Sequence, residues 1–203
     1  MTTIDEPLQY EFSLTPNQLS GWENYVVSFK GVVRGWDDDL GDDVDAGLIQ
    51  GQRIDLAAAH YDRVDRAVLL ESISPDIADF AKTVLDLDGR CPDQLPVKSR
   101  GRDGRCPCLI YIETIEVEQE LRGQDIGTGL LQRFAEVVEV DNCLIGLKAF
   151  PLSRNYGEDR SKEAIERVKH FYERMGFVRG PKEYMLKDAS QCKPAIKRRL
   201  GQI

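Results

Sequence analysis

The chain has 203 residues, 27 Lys and Arg against 35 Asp and Glu, a formal net charge of −8 and 41% hydrophobic residues. This fits one elaborated globular domain, and the acidic balance argues against nucleic acid as a general partner, because Lys and Arg supply most phosphate-backbone affinity. No run approaches the roughly 18 apolar residues that span a bilayer, and residues 1–14 lack the apolar core of a signal peptide. No membrane contact is expected, and the chain reads as cytoplasmic. Five cysteines (Cys91, Cys106, Cys108, Cys143, Cys192) form no regular framework and imply free thiols in a reducing compartment. Cys106-Pro107-Cys108 is spaced too tightly for a zinc knuckle, and His60 and His170 stand apart, so no metal is expected.

Along the chain, Leu8, Tyr10, Phe12 and Leu14 alternate with polar residues, a strand signal ended by Thr15-Pro16-Asn17. Residues 22–36 leave helix and strand open. Asp37, Asp38, Asp39, Asp42, Asp43 and Asp45 then read as a solvated acidic loop over 37–45; its alternative is a rim that attracts a cationic substrate. The run lacks the glycine and closing glutamate of a calcium loop. Residues 47–60 suggest a strand. Ser74-Pro75-Asp76 starts a helix with a serine cap, proline in the first turn and an early acid, and Ile77, Phe80, Ala81, Val84 and Leu85 mark its apolar face. Residues 88–107 form a basic, Gly/Pro-rich loop.

Residues 109–117 are rich in Ile, Leu, Tyr, Thr and Val and read as a central strand carrying Glu113 and Glu116. A glycine-bearing turn follows, then a helix with Leu130, Leu131, Phe134, Val137 and Val138 on one face. Residues 144–150 suggest a strand closed by Pro151; residues 162–175 a helix capped by Gly176; and residues 184–186 a closing strand. This alternation places the chain in the α/β class.

The turn reads Arg122-Gly123-Gln124-Asp125-Ile126-Gly127-Thr128-Gly129. Between a buried strand and a helix, such a turn gathers backbone N–H groups at the positive end of a helix dipole and suits a phosphate. Gly127 and Gly129 are expected to let the backbone approach the ligand. A P-loop is excluded because Leu130 and Leu131 follow Gly129. A dinucleotide fingerprint starting at Gly127 fails at Gln132. A simple tight turn is the bland alternative.

Gln124-Asp125-Ile126-Gly127-Thr128-Gly129 after a strand resembles the acetyl-CoA motif of the GNAT-type N-acetyltransferases. Phe171-Tyr172 followed by Gly176-Phe177 resembles that superfamily's second signature. The likeness covers about residues 108–187. It departs at Asp125, where glycine is common, and at Ile165, where an Asn often touches CoA. It implies a GNAT-like, mixed and mostly antiparallel sheet flanked by helices, in a single domain over 1–187 with a tail at 188–203.

The resemblance further implies acetyl-CoA as co-substrate, with pyrophosphate on the turn from Arg122 to Gly129 and pantetheine beside Ile115, Glu116 and Val117. It implies acetyl transfer to a primary amine of a small molecule or peptide by direct attack, with Tyr172 protonating the CoA thiolate. Glu113 matches the catalytic glutamate of some members. By strand alternation Glu113 shares a face with Val117 while Glu116 points away, so Glu113 is preferred as base and Glu116 held in reserve. A homodimer is compatible with this reading. The alternative, from another class, is a non-catalytic acyl-CoA-binding or regulatory module.

Overall fold

The computed structural model describes residues 8–16, 21–37, 41–91, 93, 104–150 and 161–189. Asp38, Asp39, the Asp37 side chain, most of the basic 88–107 segment, Pro151, Cys192 and the tail beyond Ala189 lie outside the described residues. Strands β1 (Gln9–Pro16), β2 (Val26–Asp37) and β3 (Asp42–Asp55) form an antiparallel meander. Tyr10 and Phe12 turn the alternating face of β1 onto the core, as the period-two pattern requires. The ambiguous segment is strand β2, with Val26, Phe29 and Val33 buried.

The acidic run is not simply a loop. Asp42, Asp43 and Asp45 belong to β3, opposite Asp37, Trp36 and Arg34. Arg34 bridges Glu11 at 3.0 Å and Asp45 at 3.3 Å, so part of the local charge is offset across the strands. The strand expected through His60 stops at Asp55, whose carboxylate accepts from Ala58 N–H at 2.8 Å and starts α1 (Leu56–Tyr61). Helix α2 (Arg66–Ile73), capped by Asp65, was not legible as a separate element. Helix α3 (Pro75–Val84) begins as read: Ser74 Oγ accepts from Asp76 N–H at 3.2 Å, and Ile77, Phe80, Ala81 and Val84 are buried.

The second half adds β4 (Cys108–Val117), α4 (Ile126–Val137), β5 (Cys143–Lys148), α5 (Lys162–Arg174), β6 (Val178–Arg179) and β7 (Tyr184–Asp188). The seven strands lie in the order β1-β2-β3-β4-β5-β7-β6, antiparallel except for β4 and β5. This is the mixed, mostly antiparallel sheet flanked by helices that was expected. One face carries α4 and α5 over Ile110, Ile112, Ile145 and Leu147; the other carries α1 to α3 over Leu109, Tyr111 and Leu144. Covering β4 on both sides explains its unbroken apolar run. Gly146 of β5 faces Phe80 so closely that a Cβ there would overlap the ring, which lets α3 sit directly on the sheet. No helix among the described residues is long and apolar enough to cross a membrane.

Two irregularities in β4 shape everything that follows. β4 pairs with β3 along its whole length but with β5 only from Cys108 to Ile112. In its pairing with β3, Gln50 opposes Thr114 and Gly51 opposes Ile112, so Glu113 is the extra residue of a β-bulge. The bulge shifts the alternation by one residue. Ile110 and Ile112 before it, and Ile115 and Val117 after it, all contribute to the α4/α5 face.

Free thiols were expected throughout, but Cys108 and Cys143, directly opposite in the parallel register with Cα atoms 4.4 Å apart, are joined as a disulfide. The spacing of 35 residues hid this pair, because only the parallel β4–β5 register brings it together. Cys91 and Cys106 are buried thiols that lie outside this disulfide. Titration of the denatured protein is expected to return at least two fewer thiols before reduction than after it, when all five react. Five thiols without reductant would contradict the covalent link between β4 and β5.

Candidate functional site

Past Ile112, the β5-facing edge of β4 has no strand partner among the described residues, so its backbone polar groups border a cleft rather than a ladder. That cleft is a groove of about 660 Å³. Ile115, Glu116 and Val117 line one side, the turn from Leu121 to Thr128 closes one end, and α5 supplies the opposite wall with Ala164, Arg167, Val168, Phe171, Tyr172 and Arg174.

The turn is built to leave amides available. Gly123 has φ 87° and Asp125, the residue that caps α4, has φ 59°; a non-glycine residue there is uncommon, with Asp among the better tolerated. In this conformation the Asp125 side chain makes no capping hydrogen bond. The first helical bond runs from Gly129 N–H to Asp125 O at 2.9 Å, leaving the amides of Ile126, Gly127 and Thr128 as the helix's unsatisfied donors. Arg122 Nε donates to Val117 O at 3.1 Å and folds the turn back onto the end of β4. Arg122, Arg167 and Arg174 line the groove against Glu116 and Asp125, so its side-chain charge favours an anion.

Gly127 and Gly129 differ in what they accommodate. A Cβ on Gly127 would come within 3.3 Å of Phe171 and 3.6 Å of Val117, squeezing the groove walls. A Cβ on Gly129 would overlap the Tyr10 hydroxyl of β1. Gly129 thus accommodates the first strand, and the expectation that it serves ligand approach is corrected. Neither Gln124 nor Gly129 lines the groove, whereas Ile115, Glu116, Val117, Arg122, Gly123, Asp125, Ile126, Gly127 and Thr128 do.

Tyr172 is 8% exposed and packs edge-on against Phe171 and Phe177, with ring centroids 5.2 and 5.7 Å away. Its hydroxyl makes no hydrogen bond among the described residues, and burial raises its pKa well above the usual 10. The turn of α5 that carries it is tied to the neighbouring strands. Lys169 pairs with Glu183 and, at 3.1 Å, with Glu166; Arg179 reaches Glu166 at 2.8 Å and Glu173 at 2.6 Å. Exposed pairs contribute little each, but a network with shared partners fixes the helix in place more firmly than one pair. His170 belongs to this network through Glu173, and His60 contacts Arg105.

Glu113 lies elsewhere. It lines a second cavity, about 450 Å³, together with Gln50, Ser74, Asp76, Tyr111, Thr114 and Lys148. The two cavities share Ile115, Phe150 and Tyr172. The expectation that Glu113 shares a face with Val117 is corrected by the bulge: Glu113 hydrogen-bonds Gln52, the residue opposite Tyr111, whereas Val117 packs on the α4/α5 side. Ser28 Oγ donates to Gln52 Oε1 at 2.9 Å, which turns the Gln52 amide nitrogen toward the carboxylate. The Glu113 residue as a whole is exposed, but its carboxyl is partly enclosed; desolvation raises its pKa above 4.5, the Gln52 hydrogen bond opposes this, and Asp76 adds to the rise. Glu116 also lines a small cavity with Lys30, Asp45 and Glu118 on the β2–β3 side.

The wall contributed by α5 and Phe150 was missed at the sequence level. Ala164, Arg167, Val168, Phe171 and Arg174 follow helical spacing, but that stripe reads equally well as core.

No family model and no curated protein matches the chain in sequence. Among solved structures, Arabidopsis thaliana NAA60 in complex with a bisubstrate analogue is similar at 16% identity, over 80% of this chain and 75% of that one, with a TM-score of 0.36. A likeness this loose adds no weight to the functional reading, which stands on the site.

Glu113 provides a test of this geometry that is independent of activity. Its raised pKa means that ionisation opposes folding, so its favourable contribution is complete below the unfolded value and lost as pH rises through the folded one. Glu113→Gln is expected to raise the urea midpoint relative to wild type at pH 7 more than at pH 3.5. An equal difference at both pH values would show that the carboxyl is not desolvated.

Proposed function

We infer that the protein is an N-acetyltransferase that moves an acetyl group from acetyl-CoA to a primary amine. The observation carrying this reading is that two cavities share Ile115, Phe150 and Tyr172 in their linings. A groove starting at uncapped helix amides runs along the edge of β4 that has no strand partner among the described residues, and Tyr172 also borders a second cavity that holds a partly desolvated carboxylate. When bound, acetyl-CoA supplies an activated acyl group as a thioester. The residues present suit it: amides of Ile126 to Thr128 and three arginines for phosphates, and the free edge of β4 for an extended amide-bearing chain, as in strand addition.

The backbone N–H near Val117 is the donor proposed to polarise the thioester carbonyl. Glu113, from the second cavity, takes a proton from the incoming ammonium, whose pKa near about 10 keeps it unreactive at neutral pH. The amine nitrogen then bonds the acetyl carbon as the carbon–sulfur bond breaks, giving a thiolate and, once the nitrogen releases its second proton to water, an amide. Tyr172 stays neutral and offers its O–H to that thiolate. Because the phenol's pKa is raised and a thiol's is about 8.5, complete proton transfer is uphill, and Tyr172 acts first as a hydrogen-bond donor to developing charge.

Two measurements test the reading. Incubation with acetyl-CoA and a panel of primary amines is expected to release CoA thiol above the amine-free background. Tight CoA binding with no release would favour the acyl-CoA-binding module instead. Tyr172→Phe is expected to lower kcat about 10–100-fold, as loss of a hydrogen bond to charge does, with little change in CoA affinity. Unchanged kcat would remove Tyr172 from the reaction.

A further inference from the structure

The second cavity carries more polar capacity than a single reacting amine uses. We propose that the acceptor is an aliphatic amine bearing a second positive charge, and that Asp76 receives that second charge while Glu113 serves the reacting nitrogen. The proposal rests on the acetyl-transfer reading for the reacting end and on the cavity's own chemistry for the other.

Asp76 and Asp79 lie one turn apart on α3, and only one of them is engaged. Asp79 accepts from Lys182 Nζ at 2.9 Å and from the Tyr184 hydroxyl at 2.8 Å. The carboxylate of Asp76 has no partner among the described residues; only its backbone N–H is used, on Ser74 Oγ. Asp76 lines the cavity with Glu113, and the two carboxylates are close enough for Asp76 to disfavour ionisation of Glu113. Two like charges facing one cavity repel in the empty protein, and a cation between them relieves both.

Lys148, the cation lining the cavity, sits over the rings of Phe150 and Tyr184 at 5.3 and 5.9 Å, and so is directed in part to aromatic faces. An anionic ligand is disfavoured at the end of α3 because Asp76 already occupies its first turn, where the helix dipole would otherwise attract one.

An independent observation points to a ligand here. Tyr111 is 4% exposed and Tyr172 8% exposed; both line this cavity, and neither hydroxyl has a hydrogen-bond partner among the described residues. The rings are buried but neither hydroxyl is sealed away from solvent, so both O–H groups open onto the cavity and are available to an occupant. Tyr111 also feels the charges of Asp76 and Glu113, which places its hydroxyl in the same electrostatic field. At about 450 Å³ the cavity is within the range of small-molecule sites.

The test compares 1,4-diaminobutane with 1-aminobutane, which has the same carbon chain and one charge, in steady-state acetyl transfer by the full chain. Wild type is expected to favour the diamine in kcat/KM by about threefold to fivefold, the fold-change of one solvent-screened ion pair. Asp76→Asn is expected to bring that ratio close to one, and Asp76→Glu to restore most of it. A wild-type ratio near one, or a ratio unaltered by Asp76→Asn, would overturn the proposal.

Calorimetric titration of 1,4-diaminobutane into the CoA-saturated protein separates this proposal from the reading it rests on. Absence of turnover with every amine would sink acetyl transfer. Diamine binding weakened about threefold to fivefold by Asp76→Asn would still support the dication site, and equal or absent binding in both proteins would reject it.

Discussion

The structure depends on a partial pairing. β4 bonds β3 from end to end, but β5 only as far as Ile112, and the two parallel strands part company there. A continuous ladder would satisfy the backbone of both strands and leave no groove. Stopping it halfway opens a cleft whose wall is main chain, and Glu113 bulges out at the point of divergence. The bulge sends Glu113 toward Gln52 and Tyr111 while keeping Ile115 and Val117 against α4 and α5. One local irregularity thus separates the carboxylate of Glu113 from the groove while the two chambers keep Ile115, Phe150 and Tyr172 in common. The cystine between Cys108 and Cys143 lies at the paired end, so divergence is confined to the other.

The chambers differ in charge as well as position. The first offers helix amides, Arg122, Arg167 and Arg174, a lining for an anionic ligand; the second offers Asp76, Glu113 and two phenols, a lining for a cationic one. They meet at Ile115, Phe150 and Tyr172, a junction of apolar surface with one hydroxyl. On the proposed reading, a donor and an acceptor of opposite charge would be sorted before they touch, and the apolar surface between them would strengthen their electrostatic interactions.

Much of this was legible in the residues themselves. The period-two pattern of β1, the Ser74-Pro75-Asp76 helix start, the apolar run of β4 and the glycine stop at Gly176 are local signals, and each matches an element of the fold. The turn from Arg122 to Thr128 was legible too, because uncapped amides follow from chain order alone. What escaped was non-local. Strand pairing makes Asp42, Asp43 and Asp45 part of β3, and the parallel register brings Cys108 to Cys143. The bulge at Glu113 appears only when β4 is laid against β3, and without it simple alternation puts that carboxylate on the wrong face. α2 escaped for a different reason: Val68 is exposed while Leu69 and Leu70 are buried, which gives no clean helical stripe.

The close approach of Gly129 to Tyr10 has a consequence for the order of assembly. Residues of β1 and of the first turn of α4 are more than a hundred positions apart, yet Tyr10 of the first strand packs directly against the helix start. Contacts of such separation carry a large loop-closure cost and are slow to form. The β4–α4–β5 unit can gather through nearer contacts, but its anion-facing end acquires its final support only when the edge strand arrives. The turn end of the groove thereby touches the edge strand of the sheet, and a chain that has not yet secured its first strand lacks one of that turn's contacts.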